Sequence, residues 1–387
     1  MKIKKFSQQG KRVNNEDSLG VSEALLTVCD GMGGHVSGER ASGFVVDALM
    51  KAFPKKAAIG KMEIQQQLNQ IQTDLNGLLD KEPELEKMGT TFTGVFVTPD
   101  VWYAAHIGDS RIYLFRPSEK KLWHTWDHSL VGELMRTHEI TLEAGRFHPM
   151  SNRISKAIIA QKDGKPANAS IVKIDQLKAG DIFMLCSDGV VEAWGDHELV
   201  RLFADPSLDF DQKCEKLRQQ CEAKSKDNNT AIIAEVEAGD AFEYGTDDEL
   251  EWTTFADIEA NYQQYLKDNP EEEPAKKETE NQEIAKQQPE DMEPVAGTPF
   301  TPKKTRKKRL FLWMGIILAL IAALVVAILL FSGKSKEPEK APVEQAPVEQ
   351  APVEQNDNPP QKKVDTFAID HNLIRLIKNS SVSQDPR

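Results

Sequence analysis

Cysteine is scarce in this chain and shows no functional spacing. Cys29, Cys186, Cys214 and Cys221 form no CxxC pair, which excludes a zinc ribbon or a disulfide framework as the organising principle; all four are expected to be reduced, buried thiols. Basic clustering is absent from the first 240 residues, and the formal net charge of the chain is −13. A protein that neutralises a phosphate backbone needs a basic face, so nucleic acid is excluded as a partner. No apolar run of signal-peptide length follows the Lys-rich stretch Met1–Gly10, and the N-terminal region is expected to stay in the cytosol. The 387 residues leave room for one large domain or two ordinary ones.

Long apolar runs are also missing, with one exception. Residues 310–331 are 22 uncharged positions rich in Leu, Ile, Ala and Val, long enough as a helix to span the ~30 Å hydrocarbon core of a bilayer. Lys303, Lys304, Arg306, Lys307, Lys308 and Arg309 precede the run, whereas Lys334, Lys336 and Lys340 beyond it are offset by Glu337 and Glu339. The positive-inside rule puts the N-terminal side in the cytosol and residues 332–387 outside it, with Trp313 as an interfacial anchor. The basic juxtamembrane segment is 303–309. Residues 239–302 turn acidic and polar and read as a linker, within which Trp252–Leu266 keeps enough aromatics for a local helix. The tail carries three copies of Ala-Pro-Val-Glu-Gln over 341–355, an extended spacer. Ile369, Leu373, Leu376 and Ile377 then recur at helical spacing, as a partner-binding helix or as part of a disordered tail.

Residues 1–238 mix strand-like and helix-like runs. Leu25–Cys29, Thr91–Val97, Trp102–Ile107, Arg111–Phe115, Ser170–Ile174, Ile182–Cys186 and Ala231–Val236 are rich in β-branched or aromatic residues and predict strands. Ser37–Phe53 and Met62–Leu79 carry apolar residues along one helical side. Strands and helices in blocks, rather than in strict alternation, favour an α+β fold.

Carboxylates beside glycines recur where strands end: Glu16-Asp17, Asp30-Gly31, Gly108-Asp109, Asp188-Gly189 and Asp227. Such ends present acids outward from a rigid scaffold, and several can converge on cations. An all-oxygen donor set suits Mg²⁺ or Mn²⁺ and not zinc. One Asp-Gly is an ordinary turn, but here the pieces come in series: Arg12-Val-Asn-Asn-Glu16-Asp17, Val28-Cys-Asp30-Gly-Met-Gly-Gly-His35, Gly89-Thr-Thr91, Gly108-Asp-Ser-Arg111, Cys186-Ser-Asp-Gly189 and Asp227-Asn-Asn-Thr230. This order resembles the motif series of the protein phosphatase 2C family in its bacterial form, over roughly residues 1–238.

The resemblance implies an αββα four-layer sandwich of two antiparallel sheets with a dinuclear Mg²⁺ or Mn²⁺ centre at one end. Carried over residue by residue, Asp30 bridges both ions, the Gly31 carbonyl, Asp188 and Asp227 complete the direct shell, and Glu16 and Asp17 act through bound waters. Arg12 grips the substrate phosphate with its planar fork. Water activated by the two ions attacks phosphorus without a phosphoenzyme, hydrolysing phosphoserine and phosphothreonine in proteins, among them serine/threonine kinases or their targets. Asp109 matches the position of a third, weaker ion shared with Asp188, or as a turn carboxylate it holds Ser110 or a neighbouring loop. The chain offers no cysteine in a Gly/Arg anion cradle, and Cys29 and Cys186 precede acids that disfavour a thiolate.

Met32 stands where animal-type members carry a histidine assigned as leaving-group acid, so a bound water takes that part; His35 is a structural histidine or an acid. Asn229 replaces the usual hydrophobic residue. Thr125–Ala157, with Asp127, His128, Ser129, Glu133, Arg136, His148, Asn152 and Arg153, resembles the region carrying a mobile flap in bacterial members, or is ordinary surface helix. The alternative to catalysis is a pseudophosphatase or phosphoprotein-binding scaffold on the same fold, which would be expected to have lost Arg12, Asp30, Asp188 or Asp227. The bacterial form of the motifs implies an inner-membrane location; the oligomeric state is left open.

Overall fold

The computed structural model describes residues 1–33, 37–162 and 164–270. In chain order its strands are β1 (Lys2–Gln8), β2 (Asp17–Val21), β3 (Leu25–Met32), β4 (Gly89–Thr90), β5 (Phe92–Val97), β6 (Trp102–Ile107), β7 (Arg111–Arg116) and β8 (Lys121–His124). Then follow β9 (Ile158–Ile159), β10 (Ser170–Ile174), β11 (Gln176–Leu177), β12 (Ile182–Cys186), β13 (Asn229–Glu235), β14 (Phe242–Glu243) and β15 (Thr253–Thr254). The helices are α1 (Gly38–Ala52), α2 (Lys61–Gly77), α3 (Leu130–Arg136), α4 (Leu142–Arg146), α5 (Asp188–Ala193), α6 (Asp196–Ala204), α7 (Phe210–Lys224) and α8 (Phe255–Asp268).

Two antiparallel sheets result. One runs β1-β13-β12-β7-β8-β15; the other runs β10-β6-β5-β3-β4-β9, with β2 also paired to β3. Successive residues of a strand point to opposite faces, and the sequence uses both faces. In β12, Phe183 and Leu185 join Leu26, Val28, Val95 and Ile112 in the core between the sheets. Ile182, Met184 and Cys186 face the other way, against Leu199, Phe203 and Leu217 of α6 and α7. In β3, Leu25 and Cys29 meet Val45, Leu49, Ile64 and Leu68 of α1 and α2. Three apolar slabs therefore separate helices, sheet, sheet and helices, and strands with both faces buried read as near-continuous hydrophobic runs. All four cysteines are free and buried within these slabs, and burial pushes their thiols upward, Cys214 and Cys221 to about 12.

The packed body runs past residue 238, where the acidic linker was expected to begin. β14 pairs with β11, β15 extends the first sheet beside β8, and α8 buries Phe255, Ile258 and Tyr265. The acidic composition misleads because much of the anchoring is polar. Arg116 of β7 is buried and donates from Nε (3.2 and 3.1 Å) and Nη2 (2.9 Å) to Asp181. Its Nη1 stands 3.6 Å from buried Asp247, and its guanidinium lies 4.6 Å from the ring centre of Trp252. One arginine thus fastens the 245–252 segment to the sheet. Among the described residues no helix is long and apolar enough to cross a membrane; the expected span 310–331, the basic segment 303–309, the second half of the linker and the repeat tail lie outside the described residues, as does His35.

Candidate metal centre

The acids marked by the motifs meet at one end of the paired sheets. Antiparallel register sets Asp17 of β2 directly opposite Asp30 of β3, a like-charge cross-strand pair that is destabilising unless a cation lies beside it. Asp109 sits in the turn between β6 and β7, Asp188 opens α5 just after β12, and Asp227 stands before β13. Arg12, Glu16, Asp30, Gly31, Asp109, Asp188 and Asp227 line a single cleft of about 590 Å³, together with Met32, Thr91, Asn152 and Asn228. Asp17 does not line it; it lies buried behind, with Oδ2 accepting from Ser187 Oγ (2.7 Å).

Crowding and burial leave the acids reluctant to ionise. Asp30 and Asp188 are held well above the usual carboxylate range, first by burial and then by neighbouring carboxylates. Asp109 is raised to about 7 by burial and by Asp127, and Asp17 to about 6, chiefly by burial. Asp17 Oδ1 is buried and finds no hydrogen-bond partner. A set of close, buried, oxygen-only acids with an orphaned oxygen fits hard divalent cations. Among the described residues, no three acid, His or Cys side chains are gathered around one point as they stand. The reason is visible: Asp227 is turned onto Arg12 and onto the Asn228 amide, and Asp17 onto Ser187.

Motif residues to which the sequence alone assigns no role hold the frame. Thr91 Oγ1 accepts from the Asp30 amide (2.9 Å) and pairs with Ser110 Oγ (2.7 Å). Thr90 Oγ1 (2.8 Å) and the Thr91 amide (2.9 Å) both donate to the Asp30 carbonyl. The Gly-Thr-Thr motif thus ties Asp30 to the Asp109 turn, and Ser110 faces Thr91. Asn228 Oδ1 accepts from the Glu16 amide (2.9 Å) while Nδ2 donates to the carbonyls of Gln9 and Asn14 (2.8 Å each). That clamp fixes the loop carrying Arg12 against the turn that carries Asp227 into β13. Glycine is required at 31 because a Cβ would stand 2.2 Å from the Gly38 carbonyl oxygen, and at 108, where φ is +107°.

The 125–157 region divides. Asp127 accepts both Nε (2.7 Å) and Nη2 (2.8 Å) of buried Arg111, so the arginine of Gly-Asp-Ser-Arg is structural. His128 stacks on His106 at 4.3 Å, its Nδ1 accepting from the Gly108 amide (3.1 Å), and burial lowers it to about 3. His148 Nδ1 accepts from the Met150 amide (3.1 Å). Glu133 and Arg136 pair with each other. Asn152 reaches the cleft. Beside the cleft a second groove of about 640 Å³ is walled by Val131, Met135, Arg146, Phe147 and Val191 and bordered by Lys11 and Lys226, and it shares Arg12, Asp109, Asn152, Asp188 and Asp227 with the first.

A family model described as protein phosphatase 2C matches residues 7–232. The chain is 30% identical over 228 residues to the serine/threonine protein phosphatase PstP of Mycobacterium tuberculosis, covering 58% of this chain and 43% of that one, so it spans less than half the length of that relative. It is 32% identical over 202 residues to the serine/threonine phosphatase stp of Listeria innocua, covering 49% of this chain and 77% of that one. Among solved structures, Staphylococcus aureus Stp1 superposes with a TM-score of 0.53 at 30% identity, over 61% of this chain and 95% of that one. The catalytic domain of PstP in complex with 2 manganese ions gives 0.52 at 28% identity, over 61% and 98%.

Proposed function

Because this chain belongs to the protein phosphatase 2C family, we propose that it is a metal-dependent phosphatase that hydrolyses phosphoserine and phosphothreonine esters in proteins. The observation that carries the reading is a cleft lined by Asp30, Asp109, Asp188 and Asp227, with Asp17 buried behind it on the strand facing Asp30: so many acids side by side are tolerable only as cation ligands. Asp30, Asp188, Asp227 and the Gly31 carbonyl would hold two Mn²⁺ or Mg²⁺ ions, with Glu16 and Asp17 behind them and Asp109 with Asp188 toward a third. When bound, the ions supply acidified water and offset charge developing at phosphorus. Arg12 stands on an exposed loop, its side chain 60% accessible; swinging from Asp227, its fork can take two phosphate oxygens and orient the ester. Met32 offers no proton, so the leaving serine or threonine oxygen draws its proton from solvent in the cleft. The scaffold alternative is disfavoured because Arg12, Asp30, Asp188 and Asp227 are all present.

The test is phosphate release from a phosphothreonine peptide by the full chain. Turnover with Mn²⁺ that vanishes in chelator is expected; a folded chain that binds the peptide but turns nothing over with Mn²⁺ or Mg²⁺ would leave the scaffold reading.

The same proposal includes a membrane tether at 310–331 preceded by the basic segment 303–309, with the packed body through α8 cytosolic, the rest of the linker up to 302 as the connection, and 332–387 beyond the bilayer. Hydropathy and charge asymmetry support it, and the reading takes the membrane as a bacterial inner membrane, with membrane-associated kinases or their targets as substrates. In sealed inside-out vesicles, added protease should remove residues 1–309 and spare the 341–355 repeats; digestion of the repeats would refute the topology.

A further inference from the structure

Helix α8 lies beyond the family match, which ends at residue 232, and it packs on the wall of the groove beside the cleft. Asn261 Oδ1 accepts from the amide of Leu142 (2.8 Å), the first residue of α4. Tyr262 stacks on His197 at 3.5 Å and 8°, and His197 Nδ1 lies 3.9 Å from Glu143 of α4. Glu143 in turn accepts from Arg146 (3.2 Å to each oxygen), whose guanidinium lies 4.5 Å from the ring centre of Phe147. Arg201 to Glu259 (2.9 Å) ties α6 to α8 on the outer side.

A helix of five residues has no stability of its own, so the placement of α4 is decided by what it docks on. Thr141 satisfies one of its free amides from within (Ala144, 3.2 Å) and Asn261 satisfies another from α8. Phe147 is 53% exposed at the end of this chain of contacts, where a peptide passing over the cleft would meet it, whereas a small aryl phosphate would reach only the acids and Arg12.

We propose that α8 is a brace for the groove wall and that Asn261 and Tyr262 are positioning residues for the peptide part of the substrate, acting through α4 on Arg146 and Phe147. The inference rests on the phosphatase reading and adds to it a specificity element supplied by this chain's own C-terminal extension. The test compares a phosphothreonine peptide with p-nitrophenyl phosphate for the full chain and for Asn261→Leu, Asn261→Asp and Tyr262→Ala. Asn261→Leu and Tyr262→Ala should raise KM for the peptide by about 5- to 10-fold, the scale of a modest misplacement, while kcat/KM for p-nitrophenyl phosphate stays within about two-fold of the parent. Asn261→Asp keeps the acceptor oxygen and should restore the peptide KM. Hydrogen exchange at amides 142–147 should quicken in Asn261→Leu and not in Asn261→Asp. An unchanged peptide KM, a parallel loss on both substrates together with a lowered Tm, or unaltered exchange would overturn the brace. A parent chain inactive on both substrates, with exchange altered as expected, would instead overturn the phosphatase reading on which the substrate role depends.

Discussion

Replacing Asp30 by asparagine should lower turnover of a phosphopeptide by about 10³-fold or more, the scale on which removing a central electrostatic element acts, and should at the same time raise Tm in chelator. The two effects have one origin. Asp30 faces Asp17 across the β2–β3 ladder and shares its cleft with Asp109, Asp188 and Asp227. Burial and these neighbours oppose its charge in the folded protein, and an amide of nearly the same shape removes that repulsion along with the ligand. A rise of about 2–4 °C, corresponding to about 1 kcal/mol for a domain of this size, is expected. With Mn²⁺ present the order should reverse, since the parent gains stability by binding and the variant gains far less. Calorimetry in chelator and across a Mn²⁺ titration, beside the assay, checks all three. A variant that stayed active, or that Mn²⁺ stabilised as much as the parent, would remove Asp30 from the centre.

The second large effect lies away from the chemistry. Arg116→Met should cost about 3–5 kcal/mol, the usual consequence of leaving a buried charge without its partner. Asp181 is fully buried and Asp247 nearly so, and both face Arg116. Burial already raises the Asp181 carboxyl, with the Arg116 hydrogen bonds working against that shift. Adding Asp181→Asn should recover part of the loss, because it removes one of the two stranded charges and keeps an acceptor for the Lys178 amide (3.0 Å). Urea unfolding measures both. Limited proteolysis of Arg116→Met should also open new cuts within 239–252, since the arginine holds that segment down; a single variant with parental stability would contradict the ledger of charges.

Much of the fold is legible in the sequence because its strands are buried on both faces and so read as apolar runs. β5, β6, β7 and β12 are found within a residue of where such runs predict them, as is the half-buried edge strand β10. β1 escapes because lysines stand on both faces of this edge strand, Lys2 and Lys4 beside Phe6 and Lys5 beside Ile3, and break up its apolar pattern. α8 shows only as an aromatic stretch in acidic surroundings, since few of its residues, Phe255, Ile258 and Tyr265, are buried, and the segment leading into it is held by a buried arginine from β7, some 130 residues earlier. At the site, the acids beside glycines announce themselves at strand ends, and their convergence follows from sheet topology. Asn228, Thr91 and Ser187 do not, because each acquires its role from partners distant in sequence: Asn228 from Glu16, Gln9 and Asn14, Thr91 from Asp30 and Ser110, Ser187 from Asp17. Arg111 belongs to the motif yet serves Asp127 in the interior, a distinction that spacing alone does not carry.

The pairing of β1 with β13, in which Lys2 stands opposite Glu235 and Gln8 opposite Asn229, also sets the order of events in biosynthesis. Among the described residues the first strand made has its one sheet partner more than two hundred residues later, and closing so long a loop is a slow, late step. Until then the Arg12 loop and the Asp227 strand are separate, and a nascent chain carries an incomplete centre. The lysines of β1 keep that waiting strand from pairing with another molecule in the interval, so the feature that hides it from hydrophobic pattern reading also guards the unfinished fold against aggregation.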